Sequence, residues 1–411
     1  MDNLLIFGLQ YPEPNSTAAG SRMLQLIDIF KGMGFEIHFA CAQPETKFSV
    51  DIEALGIAQH NIQLNDSFTK LLLADIKPKI VLFDRFVTEE QFGWMVDEVC
   101  PTVLKILDTE DLHFLRENRE KIVKKRISKK REFELSEKAK REIAAIYRCD
   151  LTLMISKIEI DILVEKFQIP DQLLVYIPFF LDTNSINQNV SPKYSNRNHF
   201  VSIGNFKHAP NLDMVKQLRD DIWPQISQQL PNAEWHIYGA YLPKHIKKWN
   251  NPKKGIIAKG RAEDAKDTLQ NYKVMLAPLR YGAGIKGKLI DSMRAGTPSV
   301  TTSVGAEGIT SKENWPGFVE DDYLKFVSSA VELYTNEDLW KVKHKMGFEV
   351  LNLNFDKKHY SDKFKDIIEG SLQNLEELRQ NNTVGALLKH HLHRSTKFMS
   401  LWIEEKNKEK R

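Results

Sequence analysis

The sequence predicts an α/β protein in which two doubly wound domains follow each other along the chain. Three observations carry this prediction. Short apolar runs alternate with helical patterns in the first half, the alternation restarts in the second half, and a segment rich in Asn and Ser separates the two. With 411 residues, of which 42% are hydrophobic, the chain is long enough for two or three packed domains.

The first half predicts a parallel sheet with helices between its strands. Residues 4–9 are an unbroken apolar run, which is typical of a strand buried on both faces. A loop over 11–20 follows, and then apolar residues at helical spacing lead up to Gly34. Further strands are predicted at 35–40, 80–84, 103–107 and 151–155. We expect 151–155 to be the last strand of this sheet.

The second half repeats the pattern after a linker. Residues 182–198 are poor in apolar residues and contain Pro192, so they predict a linker between domains at 1–181 and 199–380. The strands predicted in the second domain are 200–204, 234–239, 274–278 and 299–302. The tail, 381–411, predicts an amphipathic helix that packs on the rest of the protein, and its apolar side is expected to carry Leu388, Leu392, Met399 and Ile403.

Composition and charge exclude several classes of protein. Lys and Arg number 58 against 55 Asp and Glu, and the net charge of +3 is too small for a dedicated nucleic-acid binder. Cys41, Cys100 and Cys149 are far apart, without the spacing of a disulfide framework or a structural zinc site. No secretion signal follows Met1, and no apolar stretch approaches the ~20 residues that cross a bilayer. We therefore expect a cytoplasmic protein.

Loops that follow strands are the places to look for a site, because open α/β sheets bind ligands at the carboxyl ends of their strands. The strongest candidate is the segment 279–291, whose informative residues are Gly282, Gly284, Lys286, Gly287, Lys288 and Asp291. Open backbone N–H groups and fixed positive charge suit a diphosphate, and a carboxylate further along the helix can bind ribose hydroxyls. The spacing matches neither a Walker loop nor the strict dinucleotide-binding fingerprint.

Together with 296–302 and the glycine pair in 305–308, this segment resembles the nucleotide-sugar-binding half of GT-B glycosyltransferases, in particular the retaining family known as family 4 or group 1. In that family a strand ending in proline leads to a glycine-rich turn, a helix, a G-x-P-V-V-x-T segment and a glycine pair. Gly204 with the later Pro-Asn pair, the segment 231–239 and the loop 12–20 extend the resemblance over nearly the whole chain. It implies two Rossmann-like domains facing a cleft.

The resemblance also implies a donor site. Its expected members are Gly204, Asn205, Gly282, Ala283, Gly284, Ile285, Lys288, Asp291 and Glu307, and the lysines expected to share the diphosphate are Lys207, Lys286 and Lys288. The family often carries two glutamates eight positions apart, where this chain has Ala283 and Asp291. We therefore expect Asp291 to contact the ribose, and backbone N–H groups of residues 282–285 to contact the sugar. An arginine frequent in the family is Asn205 here.

The first domain is expected to hold the acceptor. Ala19 and Gly20 belong to the glycine-containing loop on that side. Asp108 and His113 belong to a segment that ends a strand and contains three acids and a histidine. A carboxylate or an imidazole can take a proton from a hydroxyl. The alternative is that Asp108 caps the next helix and that His113 lies on its solvated face.

Two further clusters have ordinary explanations beside functional ones. The basic segment 119–148 either meets a membrane that carries a lipid-linked acceptor or is a solvated helix, and its interleaved glutamates favour the second interpretation. His390, His391 and His393 have no carboxylate or cysteine at ligand spacing, so we expect surface histidines and no metal site.

The sequence therefore predicts a glycosyltransferase that moves a sugar from a nucleotide-sugar donor to a hydroxyl of a glycan or lipid-linked acceptor in polysaccharide biosynthesis. The resemblance implies retention, and the lack of a D-x-D pair agrees with transfer without a metal ion or cofactor. Contact with the inner face of a membrane is one option, and no nucleic-acid partner is expected. Two alternatives stay open: a nucleotide-sugar epimerase, and a degenerate binding subunit that holds a partner through the tail.

Overall fold

The computed structural model describes residues 2–183 and 191–408, with the side chains of 391–393 excepted. Residues 184–190 of the predicted linker, and the side chains of Leu392, His391 and His393, therefore lie outside the described residues.

The first domain is a seven-stranded parallel sheet with strand order β3-β2-β1-β4-β5-β6-β7. Its strands are β1 Asp2–Gly8, β2 Phe35–Cys41, β3 Ala58–Asn61, β4 Ile80–Asp84, β5 Leu104–Asp108, β6 Leu151–Met154 and β7 Leu174–Tyr176. The helices between them are α1 Ala18–Gly32, α2 Phe68–Ile76, α3 Arg85–Val99, α4 His113–Val123, α5 Glu137–Arg148 and α6 Lys157–Phe167.

The second domain is a six-stranded parallel sheet with strand order β10-β9-β8-β11-β12-β13. Its strands are β8 Asn198–Ile203, β9 Trp235–Tyr238, β10 Ile256–Gly260, β11 Tyr272–Ala277, β12 Ser299–Thr301 and β13 Gly317–Val319. Its helices are α7 Ala209–Gln217, α8 Trp223–Gln229, α9 Lys244–Lys247, α10 Ala265–Leu269, α11 Gly287–Arg294, α12 Ser303–Ala306, α13 Tyr323–Thr335 and α14 Glu337–Asn354.

The alternation that the sequence predicts is confirmed, because each predicted strand is present and both sheets are parallel. The strand at 151–155 is not the last of its sheet, however, since β7 pairs with β6 beyond it. Four strands were missed: β3, β7, β10 and β13. β3 has the sequence AQHN, which carries no apolar alternation, and β7 and β13 have only three residues each.

Strand β1 shows why the apolar runs form the sheet. Leu4, Leu5, Ile6 and Phe7 are all fully buried. Leu5 and Phe7 point into one core of the first domain and Leu4 and Ile6 into the other, because successive side chains of a strand alternate between its faces. A strand covered by helices on both faces must be apolar at every position.

After the second domain the chain returns to the first. Helix α15 (Lys357–Gln373) places Phe364 and Ile368 in a core of the first domain, so the return precedes the predicted boundary at 380. Helices α16 (Leu375–Gln380) and α17 (Thr383–Lys408) follow, and α17 packs on α3 and α5. The predicted apolar side of this tail is wrong at Met399, which is 58% exposed, whereas Ser400 beside it is buried. Within the described residues, no helix is both long and apolar enough to cross a membrane.

Candidate functional site

The carboxyl ends of both sheets face each other, and the glycine-rich turn of the second domain touches the first domain directly. Gly284 has a φ of +61°, and a Cβ built on it would lie 2.8 Å from Cβ of Asp111. A Cβ on Gly287 would lie 2.6 Å from that of Ala18. Any larger side chain at these glycines would hold the domains apart.

Lys286 and Lys288 lie at the start of α11, where the helix offers unpaired N–H groups and positive partial charge. Lys286 is buried, and its Nζ donates to the carbonyl oxygen of Gly284 at 2.7 Å. Nζ of Lys288 contacts Oδ1 of Asn211. In the described part of the chain neither lysine forms a salt bridge with a carboxylate.

Burial strongly perturbs both amines. It lowers the pKa of Lys286, although Glu307 and Glu159 oppose the shift. It lowers the pKa of Lys288 to about 7, with the charge of Lys286 as a second cause. Two poorly solvated amines side by side are a site that an anion would stabilise.

Asp291 and Glu307 already have partners. Asp291, the predicted ribose ligand, lies on α11 and accepts from Nη1 of Arg294 at 3.2 Å, and burial raises its pKa. Glu307 pairs with Nη1 of Arg119 at 2.9 Å. The same guanidinium donates to the carbonyl oxygen of Gly282 at 2.9 Å, so a first-domain side chain is bound to the glycine-rich turn.

The predicted site residues that follow β8 lie in two different environments: Asn205 is hydrogen-bonded within the second domain, and Lys207 is exposed. Asn205 accepts the backbone N–H of Lys207 at 2.9 Å through Oδ1, and its carbonyl accepts from Asn211 at 2.7 Å. Gly204 leaves room for that asparagine, since a Cβ there would lie 2.8 Å from it. Lys207 is exposed and its Nζ lies 3.7 Å from the ring centre of Tyr241.

Ala19 and Gly20 lie in the first turn of α1. The N-cap residue Thr17 accepts the N–H of Gly20 at 2.9 Å through its hydroxyl oxygen. A Cβ on Gly20 would lie 2.5 Å from the backbone of Glu13, so the glycine permits this loop to fold back on itself. Glu13 in turn accepts from the hydroxyl of Tyr241 in the second domain at 2.9 Å.

Asp108 is fully buried in an ion pair. Nε of Arg22 donates to its two carboxylate oxygens at 3.0 and 3.2 Å, and Nη1 of Arg22 donates to the carbonyl of Ile177 at 2.8 Å. Both side chains have no exposed surface. The carboxylate thus faces the protein interior and fixes α1 to the end of β5.

His113 and Glu110 stand nearer the cleft. Nε2 of His113 lies 3.2 Å from Oδ1 of Asp111, whose other oxygen contacts Arg116. Burial lowers the pKa of His113, while Asp111 opposes the shift. Glu110, which sequence reasoning missed, has a φ of +63° and a buried Oε1 without a hydrogen-bond partner in the described chain. Burial and the charge of Asp108 raise the pKa of Glu110 well above its usual value.

Glu159 is a second missed residue. It lies in the first turn of α6, and its Oε1 accepts the backbone N–H of Gly284 at 2.7 Å and that of Leu112 at 3.4 Å. Burial raises its pKa to about 7. Position 283 holds alanine, so the carboxylate at this glycine-rich turn comes from the facing domain, which spacing along the chain cannot indicate.

The basic segment 119–148 is largely neutralised by glutamates, some within the segment and others on neighbouring parts of the first domain. Its ion pairs are Arg119–Glu132, Lys121–Glu117, Lys124–Glu120, Arg131–Glu134, Lys138–Glu117, Lys140–Glu137, Arg141–Glu90 and Arg148–Glu89. This pattern favours the solvated, salt-bridged interpretation over a basic membrane surface.

Two grooves lie outside the cleft. One, of about 410 Å³, is bounded by β7 and α15, and the other, of about 960 Å³, lies beside Trp223 and Trp249 in the second domain. Neither contains a residue of the glycine-rich turn, so neither is the predicted donor site.

Two parallel sheets whose carboxyl ends meet across a cleft define the GT-B architecture, and solved structures share it. Sucrose-phosphate synthase from Thermosynechococcus elongatus aligns with a TM-score of 0.66 at 12% identity, covering 90% of this chain and 99% of that one. HepE from Anabaena, in complex with UDP and glucose, aligns with a TM-score of 0.65 at 11% identity, covering 89% and 99%. At these identities the likeness shows the fold alone.

Sequence comparison adds a family match for the second domain. Residues 197–336 match the family described as Glycosyl transferases group 1. An uncharacterised 44.6 kDa protein in the cps region of Klebsiella pneumoniae is 24% identical over 226 residues, which are 53% of this chain and 56% of that protein. The alignment thus spans little more than half of that relative. The family match is confined to the second domain of this chain.

Proposed function

We propose that this protein transfers a sugar from a nucleotide-sugar donor to an acceptor hydroxyl. The observation that carries the proposal is the pair Lys286 and Lys288, which lie at the start of α11 without a carboxylate partner in the described residues. A diphosphate supplies the negative charge that this arrangement lacks. The group 1 match over the same domain supports this function over an epimerase.

The transfer would rely on position and charge. As the bond between the sugar and the diphosphate breaks, charge grows on the leaving oxygen, and the two ammonium groups and the N–H groups of α11 stabilise it. Lys286 and Lys288 supply the compensating charge in this proposal, so no metal ion is assigned to the diphosphate. Arg119 and Glu159 bind the glycine-rich turn from the facing domain, which closes the cleft and excludes water from the reacting atoms.

The remaining contacts follow from the same placement. Asp291 would bind the ribose after exchanging its contact with Arg294, and N–H groups of the glycine-rich turn would bind the sugar. On the acceptor side, His113 is a group near the cleft that can take a proton, whereas burial favours the protonated form of Glu110 by raising its pKa, and Asp108 holds Arg22. HepE binds UDP, so uridine nucleotides are the first donors to try.

A thermal-shift screen tests the donor site. Purified protein is heated with UDP, GDP, ADP and their sugars, beside Lys288→Met and, as a matched control, Lys253→Met, which removes an exposed lysine far from the cleft. We expect one nucleotide class to raise the Tm of the wild type and the control, and to raise that of Lys288→Met by much less.

Two results would contradict the proposal. If no nucleotide shifts the Tm, the donor site is absent. If a nucleotide binds but no donor sugar is transferred to an acceptor or to water, the result favours the binding-subunit alternative.

We further propose that the protein touches a membrane through α17 and the start of α2. Phe398 and Trp402 on α17 and Phe68 and Leu71 on α2 are each at least 58% exposed. The hydroxyl of Ser67 donates to Glu404 at 2.7 Å, which places the two helices side by side. Exposed cations of α17, including Lys406 over the ring of Trp402, suit anionic lipid headgroups beside this apolar surface.

Sedimentation with vesicles tests this contact. We expect the protein to sediment with vesicles that contain phosphatidylglycerol, and the double variant Phe398→Ser, Trp402→Ser to stay in solution. Leu353→Ser is the matched control, because Leu353 is 81% exposed on α14. Equal sedimentation of all three proteins, or none by the wild type, would contradict the contact.

A further inference from the structure

A cluster of two histidines and a glutamate lies at the amino ends of two strands of the second sheet, at the end opposite the cleft. His199 is in β8, Glu234 immediately precedes β9, and His236 is the second residue of β9. β8 and β9 pair in parallel with Phe200 opposite Trp235, so His199 lies beside Glu234. His236, two residues after Glu234, points to the same face.

The three side chains converge. One potential ligand atom from each lies within 4.8 Å of the others. Oε2 of Glu234 is 2.7 Å from Nε2 of His236 and 3.7 Å from Nε2 of His199. Two imidazole nitrogens and a carboxylate oxygen at this separation form a ligand set that zinc accepts, with a coordination position left for water.

A second layer of contacts orients His236. Its Nδ1 lies 2.7 Å from the hydroxyl of Tyr272, which lies 3.0 Å from the hydroxyl of Tyr238. A metal ligand needs its second ring nitrogen held in this way, because that contact fixes the tautomer and the direction of the ring. With the ring proton moved to Nδ1, Tyr272 accepts it and Nε2 is left free to coordinate.

One nearby charge works against the site. Lys259 acts electrostatically on both Glu234 and His236, and its positive charge opposes a second cation there.

We propose that His199, Glu234 and His236 bind a divalent transition metal ion of the zinc class, at a site separate from the cleft. His199 must adjust to do so. Its Nδ1 accepts the backbone N–H of Glu234 at 3.1 Å, which leaves the ring proton on Nε2. The ring therefore turns away from that N–H, whose hydrogen bond water can replace because the His199 side chain is 32% exposed.

Two consequences follow from this arrangement. The rearrangement of His199 and the charge of Lys259 both weaken binding, so the site takes its ion in the micromolar range and not in the range of a closed structural site. A bound ion fastens β8 to β9, so it raises the Tm of the protein without entering the transfer reaction.

The test is Zn²⁺ titration of the full chain, freed of metal by a chelator and carrying no polyhistidine tag. We expect one Zn²⁺ per chain by calorimetry, and affinity weaker by about tenfold or more in His199→Ala and in Glu234→Gln. Both substituted side chains are about one-third exposed, so the variants are expected to fold, which circular dichroism checks. The rise in Tm with Zn²⁺ should disappear in both.

Two control variants separate this cluster from other histidines. His245→Ala removes an exposed histidine of α9, and the triple change of His390, His391 and His393 to Ala removes those of the tail. Both controls should bind Zn²⁺ as the wild type does. The proposal is overturned if the wild type binds no Zn²⁺ at micromolar concentration, if both site variants still bind it, or if the tail variant alone loses it.

Discussion

Replacing Asp108 by Asn should destabilise the first domain strongly, because it leaves the guanidinium of Arg22 buried without a counter-ion. Arg22 makes two hydrogen bonds to the carboxylate at 3.0 and 3.2 Å, and neither side chain has exposed surface. Removing one partner of such a pair costs about 3–5 kcal/mol. For a domain of this size each kcal/mol lowers the Tm by about 2–4 °C, so we expect a fall of roughly 6–20 °C.

Differential scanning calorimetry measures this change, with Glu90→Gln as the matched control. Glu90 pairs with Arg141 at the surface, and loss of an exposed pair costs under about 1 kcal/mol. The double variant Arg22→Met, Asp108→Leu should recover most of the Tm, because it removes both charges of the buried pair. An unchanged Tm in Asp108→Asn together with loss of transfer would refute this reasoning and give Asp108 a chemical role.

Three further predictions concern the cleft. Burial lowers the pKa of Lys288 to about 7, so a bound nucleoside diphosphate should draw a proton onto its amine. The affinity for the nucleoside diphosphate should therefore fall by up to about tenfold per pH unit as the pH rises from about 7 to 9. In Lys288→Met the affinity should not change over this range. Because the unfolded chain then binds more protons than the folded one, the free protein should gain stability over the same range. Gly284→Ala should preserve both domains but reduce turnover by about tenfold or more, since its Cβ would meet the facing domain. Gly370→Ala should leave turnover unchanged, because no atom of the described residues lies within 4 Å of the added Cβ. Arg119→Met should increase the radius of gyration in X-ray scattering by releasing the glycine-rich turn, and Lys121→Met, which breaks only an exposed pair, should not.

The sequence predicts the architecture well because each buried strand leaves a local signal. The run at β1 is apolar at every position since helices cover both faces of the sheet. Short edge strands such as β7 and β13 have too few residues to show any period. Helix α15 reads as a continuation of the second domain, and only packing shows that Phe364 joins the first.

The candidate site likewise contains residues that the sequence predicts and residues that only the structure brings together. Lys286 and Lys288 could be predicted because the turn that carries them is continuous in the sequence. Arg119 and Glu159 could not, since each reaches that turn from a distant part of the chain. Asp108 looked available because it ends a strand, but its partner lies 86 residues away.

Proximity across strands also hides the histidine cluster. His199 and Glu234 are 35 residues apart and meet only through the pairing of β8 with β9. Residues that converge through sheet register carry no spacing motif, so a search for metal-ligand patterns along the chain cannot find them.

In the proposed complex, a nucleotide-sugar donor lies between the two domains with its diphosphate at the start of α11. A crystal structure with the nucleoside diphosphate selected by the thermal-shift screen tests it most directly. We expect density for both phosphates within hydrogen-bond distance of Nζ of Lys286 or Lys288 and of the first N–H groups of α11. A nucleotide bound elsewhere, with both lysines in their present contacts, would contradict the assignment of the donor site.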